Sequence, residues 1–153
     1  MRSRFTYLAV ALLLLGTMGL FAWINPSYQK AFEAKWYYFT GKYDEAYRLA
    51  KEAYEADPYN RMALTMMTRA QWAKKYLDYI KEGLGYLHEI EKIADRSPVS
   101  EADRLRIKWM CEVMIGRYER LASTPLTDEE LEERAHGIYE KFVSLYEQLF
   151  KQK

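Results

Sequence analysis

The sequence predicts an all-α protein, with one transmembrane helix at its N-terminus and about three antiparallel helical hairpins behind it. Three observations lead there. Residues 5–24 read FTYLAVALLLLGTMGLFAWI and contain no charged side chain. Beyond them, apolar residues recur at three- and four-residue spacing, the period of a helix with a buried face. Gly41, Pro58, Pro98 and Pro125 cut that pattern into lengths suited to helices packed in pairs.

About 20 apolar residues rising about 1.5 Å each match a hydrocarbon core of roughly 30 Å. Asn25 and Pro26 end the segment, and Trp23 falls where an interfacial aromatic belongs. A cleaved signal peptide is the competing reading. Its best site would use Leu20 and Ala22 ahead of bulky Trp23, a poor match, and no cysteine follows for a lipoprotein. Residues 5–24 are therefore read as an uncleaved signal-anchor in the lipid bilayer. Arg2 and Arg4, in the basic tail 1–4, put the N-terminus in the cytoplasm by the positive-inside rule. In a Gram-negative bacterium the body would then face the periplasm from the inner membrane.

The 153-residue chain has a net charge of +1, and without Arg2 and Arg4 its 23 basic residues fall to 21 against 22 acidic ones. A near-neutral body argues against nucleic acid, because such binding rests on neutralising phosphates. Cys111 is the single cysteine, so the chain has neither a disulfide framework nor a thiolate cluster for zinc. An aromatic content of 16 %, with 14 tyrosines, suits helices packed by large amphipathic rings.

Residues 27–40 form the first helix after the anchor, with Tyr28, Ala31 or Phe32, Lys35 or Trp36, and Phe39 at helical period. Gly41 supplies the turn, through the positive φ open to glycine. Residues 43–57 return as a partner helix on a small-residue stripe of Tyr43, Ala46, Ala50 and Ala53. Asp44 and Glu45 suit its N-terminal dipole, and Pro58 stops it. Gly41, Tyr43, Ala46, Ala50, Ala53, Pro58 and Asn60 fill, in register, the run G-x-Y-x-x-A-x-x-x-[FYA]-x-x-A-x-x-x-x-P-x-N. This stretch resembles the second half of a tetratricopeptide repeat (TPR), with Ala34 at the small-residue place of the first half. The resemblance covers one repeat at about 27–60 and, one period on, a degenerate second at about 61–94. The second keeps Ala70 but has Lys75 for the turn glycine and Lys92 for the closing proline. A TPR-like stack implies a scaffold that binds other proteins.

Within the second repeat, residues 59–75 are read as one helix, with Met62, Met66, Ala70 and Ala73 on one face. Residues 77–94 are read as another, with Leu77, Ile80, Leu84, Leu87 and Ile90 at helical spacing. Gly83 and Gly85 each cost it about 1 kcal/mol relative to alanine and fit a close approach by a neighbouring helix. Asp95, Arg96, Ser97 and Pro98 end the repeat region, 27–95. A C-terminal hairpin, 100–151, then caps the stack. Ser100 with Asp103 starts its first helix, which runs to about Leu121 unless Gly116-Arg117-Tyr118, an echo of Gly41-Lys42-Tyr43, turns it. Thr127 with Glu130 forms a capping box for the last helix, Leu126 with Leu131 a hydrophobic staple. Leu131, Ala135, Ile138, Phe142, Leu145 and Leu149 make its stripe.

Little here carries chemistry. His88 and His136 each lack a histidine or cysteine at i+3 or i+4, so neither is expected to bind metal or act as a base. Cys111 would need a nearby histidine to be a nucleophile, and packing is the commoner use of such a residue. No phosphate loop, nucleophile elbow, H-E-x-x-H or C-x-x-C occurs. The acidic run 128–133 lacks the ligand alternation of a calcium loop. No catalytic, cofactor-binding or metal residue is expected, and enzyme activity is not.

The TPR resemblance puts the groove-lining places on Tyr28, Ala31, Lys35 and Tyr38 in the first repeat, and on Met62, Thr65, Arg69 and Trp72 in the second. Lys35 and Arg69 occupy equivalent places, so two cations between aromatic rings suit a peptide with an acidic residue or a terminal carboxylate. The asparagines of the family's carboxylate clamp are absent. The expected function is a membrane-anchored protein-interaction scaffold, serving as an assembly factor or accessory subunit of a membrane complex. Its partners would be another protein and, through residues 5–24, the bilayer. The alternatives are a permanently buried structural subunit without a groove and a periplasmic chaperone for exported chains.

Overall fold

The described residues form six helices: α1 (Arg2–Ile24), α2 (Pro26–Phe39), α3 (Tyr43–Ala56), α4 (Arg61–Ala94), α5 (Glu101–Tyr118) and α6 (Glu129–Phe150). The computed structural model describes residues 2–96, 98–121 and 123–151, without the side chains of residues 2–4, 22 and 23. The basic flank of Arg2 and Arg4, the interfacial place of Trp23, the cleavage alternative at Ala22 and the Ser97 part of the break fall outside it. No strand occurs among the described residues, so the all-α class holds. The chain divides into two compact units, Met1–Gln71 and Trp72–Lys153, and α4 contributes to each.

In the first unit, every described side chain of α1 from Phe5 to Phe21 is exposed. Among the described residues no single helix is long and apolar enough to cross a membrane. The stretches Phe5–Phe21 and Pro26–Phe39 meet that test only as a pair, bent by 80°. One residue separates the helices. Asn25 accepts from the Ser27 amide at 2.9 Å and caps α2, whose first position is Pro26.

Helix α2 ends at a turn in which the Lys42 amide donates to the Tyr37 carbonyl at 2.9 Å and Gly41 takes φ 75°, the expected glycine turn. The chain returns along α2, because Ser27 at the start of α2 donates through Oγ to the Ala53 carbonyl near the end of α3, at 2.8 Å. Alanine makes this packing close. Ala31 and Ala34 of α2, Ala46, Ala50 and Ala53 of α3 and Ala63 of α4 are all 0 % exposed. Leu49 and Met66 fill the remaining space, with Met62, Tyr37 and Tyr54 around them. Outside this core, Glu52 takes Lys30 at 2.9 Å and Arg48 at 2.7 Å, and these two hydrogen bonds hold its carboxyl below the usual range.

In the second unit, Tyr76, Tyr79, Ile80, Ile90 and Ile93 of α4 are buried. Opposite them lie Ile107, Met110, Cys111 and Met114 of α5, and Leu131, Ala135, Ile138 and Phe142 of α6. Gly83 makes the close approach expected of it: a Cβ there would stand 2.5 Å from the Ile138 Cγ2 methyl and 3.1 Å from the Met114 methyl. Gly85 meets nothing within 4 Å. Arg117 pairs with Glu82, and Arg106 with Glu89.

Several local expectations are corrected. Residues 61–94 are one unbroken helix, so the turn expected near residue 76 does not exist and the second repeat is not a helix–turn–helix. The physical reason is local: Ala73, Lys74 and Lys75 favour helix, and neither glycine nor proline stands there to stop it. Its buried stripe is shifted as well, since Leu84 is exposed and Leu77 and Leu87 only half-buried. Gly116 does not turn α5, and the helix ends at Tyr118 instead of running to about Leu121. Asp128, not Thr127, caps α6, accepting from the Leu131 amide at 3.3 Å. Thr127 is committed to the preceding turn, where its amide bonds to the Thr124 carbonyl at 2.9 Å and its Oγ accepts from the Thr124 amide at 3.1 Å.

Candidate functional site

The groove-lining side chains expected from the sequence come together only in part. At the last turn of α2, Tyr38 is 3 % exposed, its ring edge-on to Tyr43 at 5.4 Å and to Phe39 at 5.9 Å between centroids. Arg69, reaching from α4, lays its guanidinium carbon 5.2 Å from the Tyr38 centroid. Such a stack contributes about 0.5–2 kcal/mol, depending on how far the cation is desolvated. Its Nε is buried and has no hydrogen-bond partner among the described residues. Lys35 holds its ammonium 6.0 Å from the Phe39 centroid. Two cations therefore rest on two consecutive rings, and among the described residues neither has a carboxylate partner. Thr65, one turn before Arg69 on the same face of α4, is half-buried.

The other expected positions serve different ends. Ala31 belongs to the core with Ala53 and Ala63, because alanine faces let three backbones approach and leave no room for a groove there. Met62 packs against both small clusters of this core. Tyr28 is half-buried and turns its ring edge-on to Phe21 of α1, at 6.4 Å. Trp72 lies in the second unit, with the Lys75 ammonium 4.1 Å from its ring centroid. Tyr38 is too deeply buried to touch a ligand broadly and acts as the floor under Arg69.

Two groupings escaped the sequence reading. Phe32, Trp36 and Phe39 of α2 are 51 %, 68 % and 68 % exposed. The signal was present, since α2 carries both an alanine stripe and an aromatic stripe, but the sequence did not say which one is buried. In the second unit, Tyr118 Oη lies 3.2 Å from His136 Nδ1, its ring stacks on Tyr139 at 4.4 Å, and His136 Nε2 lies 3.4 Å from a Glu140 oxygen. Burial first, and the Glu132 carboxylate next, push the Tyr118 hydroxyl above its ordinary value, so it stays protonated at neutral pH. Burial likewise pushes the Cys111 thiol up to about 11, leaving it a packed, protonated sulfur. No group of three or more histidine, cysteine or acidic side chains converges for a metal among the described residues.

Comparison of the chain with protein-family models, with curated proteins and with solved structures finds no match.

Proposed function

We propose that the protein is a membrane-anchored, TPR-like interaction scaffold that holds an acidic segment of a partner protein, as an assembly factor or accessory subunit of a membrane complex. The observation that carries the interaction is the pair Lys35 and Arg69, cations on adjacent rings with no described carboxylate partner. A carboxylate from a partner would complete them by accepting from the Lys35 ammonium and the terminal nitrogens of the Arg69 guanidinium. The TPR-like reading is supported by the parts played by the matched residues: Gly41 at positive φ, Ala46, Ala50 and Ala53 in the core, and Asn60 at the start of α4.

The anchor reading is supported by α1 itself. Its described side chains are uncharged, mostly apolar and exposed on every face, which suits a medium apolar on every side better than the one-sided groove of a protein partner. The helix runs 23 residues to Ile24, about 34 Å at the helical rise, and among the described residues it meets the combined test of length and apolarity only as a bent pair with Pro26–Phe39. Arg2 and Arg4 then leave the N-terminus in the cytoplasm and the body on the opposite side, the periplasm in a Gram-negative cell.

A photoreactive residue at Thr65, in native membranes, tests the interaction. One dominant crosslinked protein, lost when Arg69→Glu is added, is the expected result. A second reading is a permanently buried subunit, which the exposed Leu105 and Trp109 of α5 favour. Strong crosslinks from Trp109 with none from Thr65 would replace the first reading by the second.

A further inference from the structure

Helix α2 has three faces. Ser27, Ala31, Ala34 and Tyr38 point into the core. Gln29, Lys30 and Glu33 form a polar face, where Lys30 reaches Glu52. The third face carries Tyr28, Phe32, Trp36 and Phe39, which fall within about 80° of one another on a helix turning about 100° per residue. Here burial runs against size: this helix hides alanines and shows water its phenylalanines and its tryptophan.

We infer that this aromatic face of α2 lies on the lipid bilayer, in the interfacial layer beside the point where α1 emerges. The inference rests on the reading of α1 as the anchor. Three observations select lipid as the occupant. Only Asn25 separates the two helices, so α2 cannot leave the membrane surface that α1 reaches. The helices are bent by 80°, so an α1 along the bilayer normal leaves α2 nearly parallel to the surface. The edge-on contact between Phe21 and Tyr28 shows which side of α2 faces α1, and that is the side continued by Phe32, Trp36 and Phe39. Tryptophan and phenylalanine are residues that an interfacial helix places at the headgroup boundary, with the apolar face about 5–10 Å deep. The polar face, with its Lys30–Glu52 pair, turns away from the aromatic one.

The test uses the full chain in phosphatidylcholine vesicles, with Cys111→Ala and single nitroxide labels placed by Leu14→Cys, Phe32→Cys, Glu33→Cys, Trp36→Cys or Phe39→Cys. Accessibility to oxygen and to a water-soluble nickel complex is read for each. The expected result is a label at 14 in the hydrocarbon, labels at 32, 36 and 39 at interfacial depth, and a label at 33 in water. Labels at 32, 36 and 39 as exposed to nickel as that at 33, with 14 still in the hydrocarbon, would overturn the inference and leave the anchor standing. A label at 14 exposed to water would remove the anchor, and the inference with it. Labels at 32, 36 and 39 shielded from both reagents would mean a protein cover, a second copy or a partner, and would also overturn the inference.

Discussion

Asn60 Nδ2 donates to Ser27 Oγ at 2.9 Å inside the first unit, and the same hydroxyl donates onward to the Ala53 carbonyl at 2.8 Å. Asn60 is 0 % exposed, and its Oδ1 accepts the Met62 and Ala63 amides, each at 3.1 Å. One side chain therefore caps α4 and ties it to both α2 and α3. Asn60→Ala removes the cap and leaves Ser27 short of a donor, which together cost about 2–3 kcal/mol. Ser27→Ala orphans the Asn60 amide and leaves the Ala53 carbonyl with the Asp57 N–H alone, at about 1–3 kcal/mol. Because the two share one bond, the double variant loses less than the sum of the singles. Thermal unfolding of the four proteins in detergent, followed by circular dichroism, checks this; strictly additive losses would mean that the pair is not coupled.

Gly83 and Gly85, two residues apart in α4, respond to alanine with opposite sign. At Gly83 the new methyl meets the Ile138 methyl, which branches directly from Cβ and cannot swing aside, so overpacking of about 1–3 kcal/mol outweighs the helix gain of about 1 kcal/mol. At Gly85 the methyl meets open space and only the helix gain remains. The melting temperature falls for Gly83→Ala and rises for Gly85→Ala. Equal shifts in one direction would remove the close approach from the account.

The second unit loses stability in alkali. Burial raises the hydroxyls of Tyr76, Tyr79 and Tyr118 above about 10, their unfolded value. The folded state holds their protons where the unfolded state releases them. Their contribution is thus complete below about pH 10 and lost as pH rises toward the folded values. Tyr79 Oη is buried with no hydrogen-bond partner among the described residues. Tyr79→Phe therefore leaves stability at neutral pH within about 1 kcal/mol of the parent and blunts the alkaline loss. Unfolding free energy against pH for both proteins, with tyrosinate absorbance, reads this directly. Glu52 acts in the opposite window: its lowered carboxyl favours the fold above the ordinary carboxylate range and loses that effect as pH falls.

Charge reversal separates the two cations of the candidate site. Arg69→Glu removes a partly desolvated guanidinium from the Tyr38 ring and should weaken partner capture at least tenfold, the scale of one charge-assisted hydrogen bond. Lys35→Glu changes an exposed ammonium and should weaken capture less, with the loss shrinking at high salt. Quantified crosslinking from Thr65 in native membranes measures both. Capture unaffected by Arg69→Glu would rule out a carboxylate at this site.

Much of the local structure was legible in the chain. Gly41, Pro58, Ser100 and the alanines of α3 act where the sequence places them, because turns, caps and small-residue stripes are set by a few neighbouring atoms. The supposed break near residue 76 misled because a repeat period, not a stop residue, suggested it. Half of the candidate site was also legible. Lys35 and Arg69 were named from their places, whereas the burial of Ala31 and Met62 depends on neighbours that the sequence does not show side by side.

By itself the sequence determined an all-helical chain, an uninterrupted apolar N-terminal helix, the ends of α2 and α3 and the start of α5. These follow from backbone freedom, side-chain capping and periodicity, which act within a few residues. Only the tertiary structure decided which stripe of α2 turns inward. Hydropathy favours the aromatic stripe, yet the alanine stripe is the buried one, because Ala46, Ala50, Ala53 and Ala63 bring neighbouring backbones too close for a ring at Ala31 and Ala34, and only at the last turn is there room for the Tyr38 ring. Packing at that distance admits methyl groups and turns Phe32, Trp36 and Phe39 outward.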